Sequence, residues 1–381
     1  MKVIFDCTAL NNWIGKPTGI QRVICELGKS LAHAMPGAIT AIFDSQGECY
    51  AYSPDSRIVG ERLSVNRGDM IFASGHDWDY PDHFAHLCNH ANNGISLAVL
   101  FYDIIPIKFP FTYTEEFVSR FEHWLQQALS VASLCFTISL STRSDLLEYA
   151  RSLNISVPDI NILRIGDNIP TQGNTVSEKI REKQQEEYIL SVGTIEYRKN
   201  HIILLNSYRY MIQNLGEKIP KLYIAGRQGL YDANVSLQVE GDPLLKGKVE
   251  ILSGLDDSDL GALYSSAMFT VYPSVYEGWG LPVAESLCYG VPCITSRSSS
   301  MLEIAPGLTP FADPLMTNEW IENMRLWIES PKELANAREQ IKNSYHRVSW
   351  DDTAGLLKNH LENFEVKFAD QDPSKEVLLN E

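Results

Sequence analysis

The sequence has no apolar run long enough to cross a membrane. Its longest uninterrupted apolar stretches are strand-sized, such as Leu97–Tyr102, whereas a spanning helix needs ~18 residues or more. It also lacks a basic surface: 32 Lys and Arg stand against 48 Asp and Glu, a formal net charge of −16. Binding to a phosphate backbone requires clustered cations, so no nucleic-acid partner is expected. Strong attachment to anionic lipid is disfavoured for the same reason. No C-x-x-C pair occurs. The seven cysteines, Cys7, Cys25, Cys49, Cys88, Cys135, Cys288 and Cys293, are scattered and odd in number, the pattern of reduced thiols. There is no internal repeat and no low-complexity segment. The opening MKVIFD has one lysine, a short apolar run and then Asp6. It is not a secretory signal pattern, and the expected location is the cytoplasm.

What is present is an ordinary globular composition, with 44% apolar and 10% aromatic residues over 381 positions. That length suggests two domains. Strand-like and helix-like segments alternate twice. In the first half, Val3–Asp6, Ile39–Phe43, Met70–Ala73, Ile95–Tyr102, Leu134–Ser139 and Ile160–Ile165 read as strands. The helical spacing of Ile20, Val23, Ile24, Leu27 and Leu31 follows a loop with Gly15, Pro17 and Gly19. The nearly all-apolar Ile95–Tyr102 predicts a strand covered on both faces. Residues 171–187 are polar and charged and read as a linker, its second part an exposed helix. The second half restarts at Tyr188–Val192, with further strands at Leu222–Ala225, Val249–Leu252, Phe269–Tyr272 and Val291–Thr295. This predicts an α/β chain of two doubly wound parallel-sheet domains, 1–170 and 188–345. A helix over 346–366 follows, expected to cross back to the first domain, and a tail over 367–381. Ligands of such sheets bind beyond the carboxyl ends of the strands.

Three strand ends in the second half carry chemistry. In VYPSVYEGWGLPVAESLCYGVPCITS, Glu277 and Glu285 bracket Gly278, Trp279, Gly280, Leu281 and Pro282. Glycines before a helix allow a ligand close to the backbone, and the helix start offers N–H groups and partial positive charge to phosphate. Glu285 falls about one turn inside, where its carboxylate can accept from a vicinal diol such as ribose. Glu277 can accept from sugar hydroxyls. In SVGTIEYRKNH, Gly193 and Thr194 end a strand, and Arg198, Lys199 and His201 follow. Their charges suit a diphosphate leaving group. LYIAGRQG supplies Gly226, Arg227 and Gly229 at a third strand end. Convergence of the three in one domain points to a nucleotide-diphosphate site.

Other patterns carry less. Asp77-Trp78-Asp79 and Asp257-Ser258-Asp259 match an Asp-x-Asp metal pattern, but two acids alone define no site. The second reads better as a helix start capped by Asp256. His83, His86 and His90 share a helical face beside Cys88; no further zinc partner is evident, and a solvated face is the commoner outcome. His76 and Asp77, in GHDWDY, read as a turn or as lining for an acceptor.

The motifs PTGIQRV, YDIIP (Tyr102–Pro106), TISLSTRSDLLEY (Thr137–Tyr149), VGTIEYRKN, LSGLDDSDLGALYSSA and the Glu-x7-Glu segment stand in one order from Val3 to Asp313. The chain resembles the family-4 retaining glycosyltransferases of the GT-B fold, in the branch that makes bacterial surface polysaccharides. The resemblance implies two Rossmann-like domains facing across a cleft, the first binding acceptor and the second a nucleotide-sugar donor. It implies that Glu285 binds ribose and that Glu277 and the Gly278–Leu281 backbone contact donor sugar and phosphate. Lys199, with Arg198, neutralises the diphosphate, and Gly19 lies near the donor phosphates. Asp103 is carried over as an acceptor-side residue. The implied activity is transfer of a sugar, foremost mannose from GDP-mannose, with dTDP-rhamnose and UDP-sugars behind it. The implied acceptor is a polysaccharide or lipid-linked oligosaccharide. No cofactor or metal is expected. Peripheral attachment at the inner membrane face, or to an assembly complex, extends the cytoplasmic reading. Three positions depart from the family: Thr194 where relatives carry Arg, Tyr102 where they carry His, and Trp279 where they carry Phe. The alternatives are a non-catalytic sugar-nucleotide binder and a phosphorylase of the same fold.

Overall fold

A computed structural model of the chain describes every residue except 12, 15–18, 168, 170–174, 230–232 and 371–381, and only the backbone at 217, 233 and 367–370. The loop with Gly15 and Pro17, the middle of the linker and most of the acidic tail therefore lie outside the described residues. The chain divides into two units. One comprises Met1–Ile107, Glu115–Gly166 and the residues from Val348; the other comprises Lys108–Thr114 and Asp167–Arg347.

The first unit is built on β1 (Val3–Asp6), β2 (Ala38–Phe43), β3 (Cys49–Ser53), β4 (Ile58–Leu63), β5 (Met70–Ala73), β6 (Ser96–Phe101), β7 (Leu134–Thr137) and β8 (Ile160–Ile162). Their order is β4-β3-β2-β1-β5-β6-β7-β8. β2, β1 and β5–β8 run parallel, and all six residues of β6 are buried, as a strand covered on both faces must be. The antiparallel hairpin β3–β4 lies outside the strands that the sequence pattern predicts. β4 is almost wholly exposed, so no buried alternation marks it in the sequence. The helix Trp350–Asp370 belongs to this unit. It buries Leu357 and Leu361 and lays the Trp350 ring over Gly166, where a Cβ would meet the indole at 2.6 Å. Thr353 Oγ1 donates to the Arg164 carbonyl at 2.9 Å.

The second unit holds β9 (Tyr188–Val192), β10 (Lys221–Ala225), β11 (Val249–Leu252), β12 (Phe269–Tyr272), β13 (Cys293–Ser296) and β14 (Phe311–Ala312). The order β11-β10-β9-β12-β13-β14 is fully parallel. The chain winds outward from β9 to β11, then returns to start outward the other way from β12. That reversal leaves a switch point between the carboxyl ends of β9 and β12. β14 has two residues, too few for a sequence pattern to mark.

The linker reading needs correction. Residues from Asp167 pack within the second unit rather than bridging to it. Ile180, in the helix Glu178–Lys183, is fully buried, Ser177 N–H donates to Asp259 at 2.8 Å, and Gln184 donates to Ser266 at 2.8 Å. The segment is otherwise solvated, as an exposed helix should be: of the six residues of Glu178–Lys183 only Ile180 is buried. A second correction concerns Lys108–Thr114. It sits in the sequence of the first half but belongs to the second unit, because its aromatic side chains pack on Tyr197 and Tyr276.

Candidate active site

The site grows from the two strands at the switch point. After β9 the chain passes Gly193 and makes a tight turn over Tyr197–Lys199. Asn200 then takes a left-handed conformation (φ 54°) to open the helix His201–Leu215. Its side-chain amide donates to the carbonyls of Pro273 (3.2 Å) and Pro314 (2.7 Å), and Val275 N–H donates to the Arg198 carbonyl at 2.8 Å. The loops after β9 and β12 are thus tied backbone to backbone. The third strand end is tighter still. A Cβ on Gly226 would sit 1.9 Å from the Gly193 carbonyl oxygen, so only glycine fits.

Four donors converge on the Glu277 carboxylate. Arg198 Nη1 lies 2.5 Å from Oε2. Lys199 Nζ (2.5 Å), Tyr272 OH (2.8 Å) and Ser274 Oγ (2.5 Å) all meet Oε1. Lys199 also donates to Tyr272 OH at 2.8 Å. Arg198 reaches on to Glu196 at 2.6 Å and to the Tyr276 carbonyl at 3.0 Å. Burial pushes the Glu277 carboxyl up, but Arg198 and Lys199 outweigh it and hold it at about 2. Burial depresses the Lys199 ammonium and the Arg198 charge acts with it, against Glu277; the net direction is down. Behind them, His201 is pushed down to about 3 by burial and by the Lys199 charge, so its imidazole is neutral. A buried ion cluster costs desolvation and is a poor source of stability. Its place at a switch point marks it as functional.

The Glu277 backbone is held as firmly as its side chain. Its N–H donates to Ser299 Oγ at 2.9 Å, and Ser300 Oγ donates to the carbonyls of Glu277 (2.9 Å) and Trp279 (2.6 Å). Gly280 (φ 113°, ψ 53°) then opens the helix Leu281–Cys288. Pro282 has no N–H, and Val283 N–H bonds Gly280 O at 3.0 Å. The N–H groups of Gly280 and Leu281 therefore form the helix start that an anion would meet. Glu285 lies one turn in, buried, with Oε2 accepting from Tyr264 OH at 3.0 Å. Thr194 is half-buried beside Gly193, and Arg227 is exposed at the end of β10.

The structure thus brings together Lys199, Arg198, Glu277, Gly193, Thr194, Arg227 and the Gly278–Glu285 segment in one unit. Tyr272, Ser274, Ser299 and Ser300 were missed. Tyr272 and Ser274 stand within the VYPSVYEG motif, and their spacing before Glu277 was the available signal. The Ser298–Ser300 run carries no signal until the fold brings it back.

The remaining named residues belong to the first unit. Gly19 opens the helix Ile20–Ala34 at φ 56° and ψ −123°, a conformation reserved for glycine. Asp103 accepts from Ile105 N–H at 2.9 Å, closing a local turn. Tyr102 is buried and donates to the Ser74 carbonyl at 2.7 Å. His76 lies 3.2 Å from the Gln21 amide nitrogen, and burial lowers its pKa. Asp77 does not line an acceptor surface: it is 1% exposed, turned inward beside Asp6 and His83. Among the described residues, this trio alone gathers three potential metal-ligand atoms, within 4.8 Å of one another. His83 Nε2 meets Asp6 Oδ2 at 2.7 Å, the contact of an ion pair. Burial raises Asp77 to about 7, with Asp6 adding and His83 opposing. The histidine face is divided: His86 and His90 lie 3.3 Å from the carbonyls of Ser45 and Gly47. Asp79 takes Arg120 at 2.9 Å, and Asp256 caps its helix by accepting from Asp259 N–H at 2.9 Å.

Residues 174–344, which contain the whole ion cluster, match the family described as Glycosyl transferases group 1. They are a glycosyl transferases group 1 domain. The chain is 30% identical over 240 residues to O-antigen chain mannosyltransferase B of Escherichia coli, covering 62% of each chain. It is 23% identical over 390 residues to the serotype-specific mannosyltransferase WbdA of Escherichia coli, covering 94% of this chain and 46% of that one. It therefore spans roughly half to three-fifths of the curated relatives it matches. Among solved structures, sucrose-phosphate synthase from Thermosynechococcus elongatus superposes with a TM-score of 0.67 at 16% identity, over 97% of this chain and all of that one (100%). Anabaena HepE in complex with UDP and glucose gives 0.66 at 14%, over 95% and 100%. The fold is GT-B, two Rossmann-like units, and the glycosyl transferases group 1 domain is the second. No helix among the described residues is long and apolar enough to cross a membrane.

Proposed function

We propose that the protein is a retaining glycosyltransferase that moves mannose from GDP-mannose to a hydroxyl of a surface polysaccharide or its lipid-linked precursor. The observation that carries this is the Glu277 cluster at the β9/β12 switch point, with a glycine-opened helix three residues on. The relatives' names, both mannosyltransferases, support the choice of sugar. Glu285 receives the ribose diol of the nucleotide. The diphosphate lies against Lys199, Arg198 and the N–H groups of Gly280 and Leu281. Glu277, ionised down to pH about 2, holds both cations in place and accepts from the sugar hydroxyls.

The bond between the anomeric carbon and the diphosphate oxygen breaks as the acceptor oxygen bonds to that carbon from the same face. The acceptor proton passes to the departing phosphate oxygen. The domain's work is to position both substrates and to stabilise charge gathering on the diphosphate. Two cations and a helix start supply that charge, so the reading includes no metal.

The test is nucleotide release from a panel of GDP-, UDP-, dTDP- and ADP-sugars, with and without EDTA. Slow release of GDP from GDP-mannose alone, indifferent to EDTA, is expected. Release that needs a divalent cation contradicts the metal-free scheme. Donor binding with no turnover on any acceptor favours the non-catalytic reading.

A further inference from the structure

The segment Lys108–Thr114 is an insertion of seven residues into the second unit, and its contacts there are aromatic. The chain leaves the first unit at Ile107 and re-enters it at Glu115. Between them, Pro110–Thr112 makes a single tight turn, closed by Thr112 Oγ1 donating to the Phe109 carbonyl at 2.8 Å. The turn presents Phe109 and Phe111 together, their rings 6.2 Å apart at 65°. Phe109 packs on Tyr276 at 5.4 Å. Phe111 and Tyr197 meet edge to face, with centroids 5.4 Å apart and planes at 81°. Lys108 Nζ stands 4.9 Å over the Tyr276 ring.

Four rings are therefore joined in one row, and the row is not a core. Phe111 is 67% exposed and Tyr197 53%. A single exposed aromatic needs no explanation, but a connected row of them marks a binding surface. Its position says which. Tyr197 directly precedes Arg198, and Tyr276 directly precedes Glu277. The row is the shoulder of the ion cluster, continuous with it through two peptide bonds. A pyranose has an apolar C–H face and a rim of hydroxyls. An aromatic ring takes that face while the hydroxyls stay in water.

We infer that Phe109, Phe111, Tyr197 and Tyr276 form a sugar-stacking shelf that holds a hexose unit of the acceptor glycan beside the reacting centre. This rests on the proposed transferase reading. The exposed rings, Phe111 and Tyr197, carry the stacking. Phe109 and Tyr276, half-buried, fix the turn and its tilt. The exposure of Phe111 and Tyr197 leaves ring surface of both open to a sugar.

The test uses free α-linked mannotriose as the probe and saturation-transfer NMR on the whole protein, with GDP present. Transfer to the C–H protons of one pyranose ring is expected in the wild type. It should fall about tenfold in Phe111→Ala, the loss of one aromatic contact, and return in Phe111→Tyr. The affinity for GDP, measured on the same samples, separates a shelf from a strut. Equal transfer in wild type and Phe111→Ala overturns the inference. So does a parallel loss of GDP affinity, which would make the turn a structural clip for the donor site. Absence of transfer in the wild type, with GDP-mannose still hydrolysed, strikes the shelf and leaves the transferase reading standing. Transfer present with no hydrolysis of GDP-mannose strikes that reading instead.

Discussion

Glu277 and Asp77 are both buried carboxylates, and their neighbours drive them in opposite directions. Glu277 has two cations and two hydroxyls on its oxygens, so it stays ionised. Asp77 has its nearest cation, the His83 ring, 4.0 Å away, and that ring is already paired with Asp6. Its folded-state pKa, about 7, is raised above the ordinary value. Below pH about 4 the folded and unfolded states are both protonated and Asp77 is neutral in stability. Between pH 4 and 7 the unfolded chain gives up the proton and the folded one keeps it, so stability falls, and the full penalty stands above pH 7. Asp77→Asn removes that penalty. Thermal melts are expected to show the variant several degrees more stable than wild type at pH 8 and nearly equal at pH 4. A variant less stable at both values would mean that the carboxylate is needed, contrary to this account. Neither fate was legible in the sequence. Glu277 is 78 residues from Lys199 in the sequence, and the inward turn of Asp77 depends on Gly75, whose missing Cβ would lie 2.7 Å from the Asp77 carboxylate.

At the scale of elements, most of the architecture was readable. Apolar strands such as Leu222–Ala225 and Phe269–Tyr272 are short and bounded by polar turns, and parallel sheets demand that pattern. The exceptions have physical reasons. β4, at the edge of its hairpin with β3, is almost wholly exposed, so hydrophobic periodicity does not report it. Residues 175–187 are polar and mostly exposed, so composition does not reveal that the buried Ile180 anchors them to the second unit. The aromatic turn at Lys108–Thr114 is assigned by its contacts, which no local propensity encodes. Where strand ends meet, backbone packing decides what fits. Gly226 follows β10 and touches the Gly193 carbonyl that follows β9. Gly226→Ala would force the two strand ends apart, since a Cβ at 1.9 Å from an oxygen has nowhere to go. A destabilisation on the order of 3 kcal/mol or more is expected by urea unfolding, with loss of nucleotide binding. A variant of wild-type stability would show that the two ends do not pack as described.

At the scale of the molecule, the chain builds one Rossmann-like unit from its beginning and its end and another from its middle. The C-terminal helix packs on the first unit through Trp350, Leu357 and Leu361, an assignment that its helical periodicity does not encode. The glycosyl transferases group 1 domain concentrates its charge at one switch point. Motif order made that point legible, while the partners on Glu277 had to await the fold. The central claim is that Lys199 and Arg198, held by Glu277, receive the donor's diphosphate. Its most direct test is calorimetric titration of GDP into wild type, Lys199→Ala and Glu285→Gln, with circular dichroism confirming that each is folded. The account predicts a GDP affinity at least about tenfold weaker in Lys199→Ala, the loss of one charge-assisted contact to phosphate, and a smaller loss in Glu285→Gln. GDP binding by Lys199→Ala with unchanged affinity would place the diphosphate elsewhere and contradict the account.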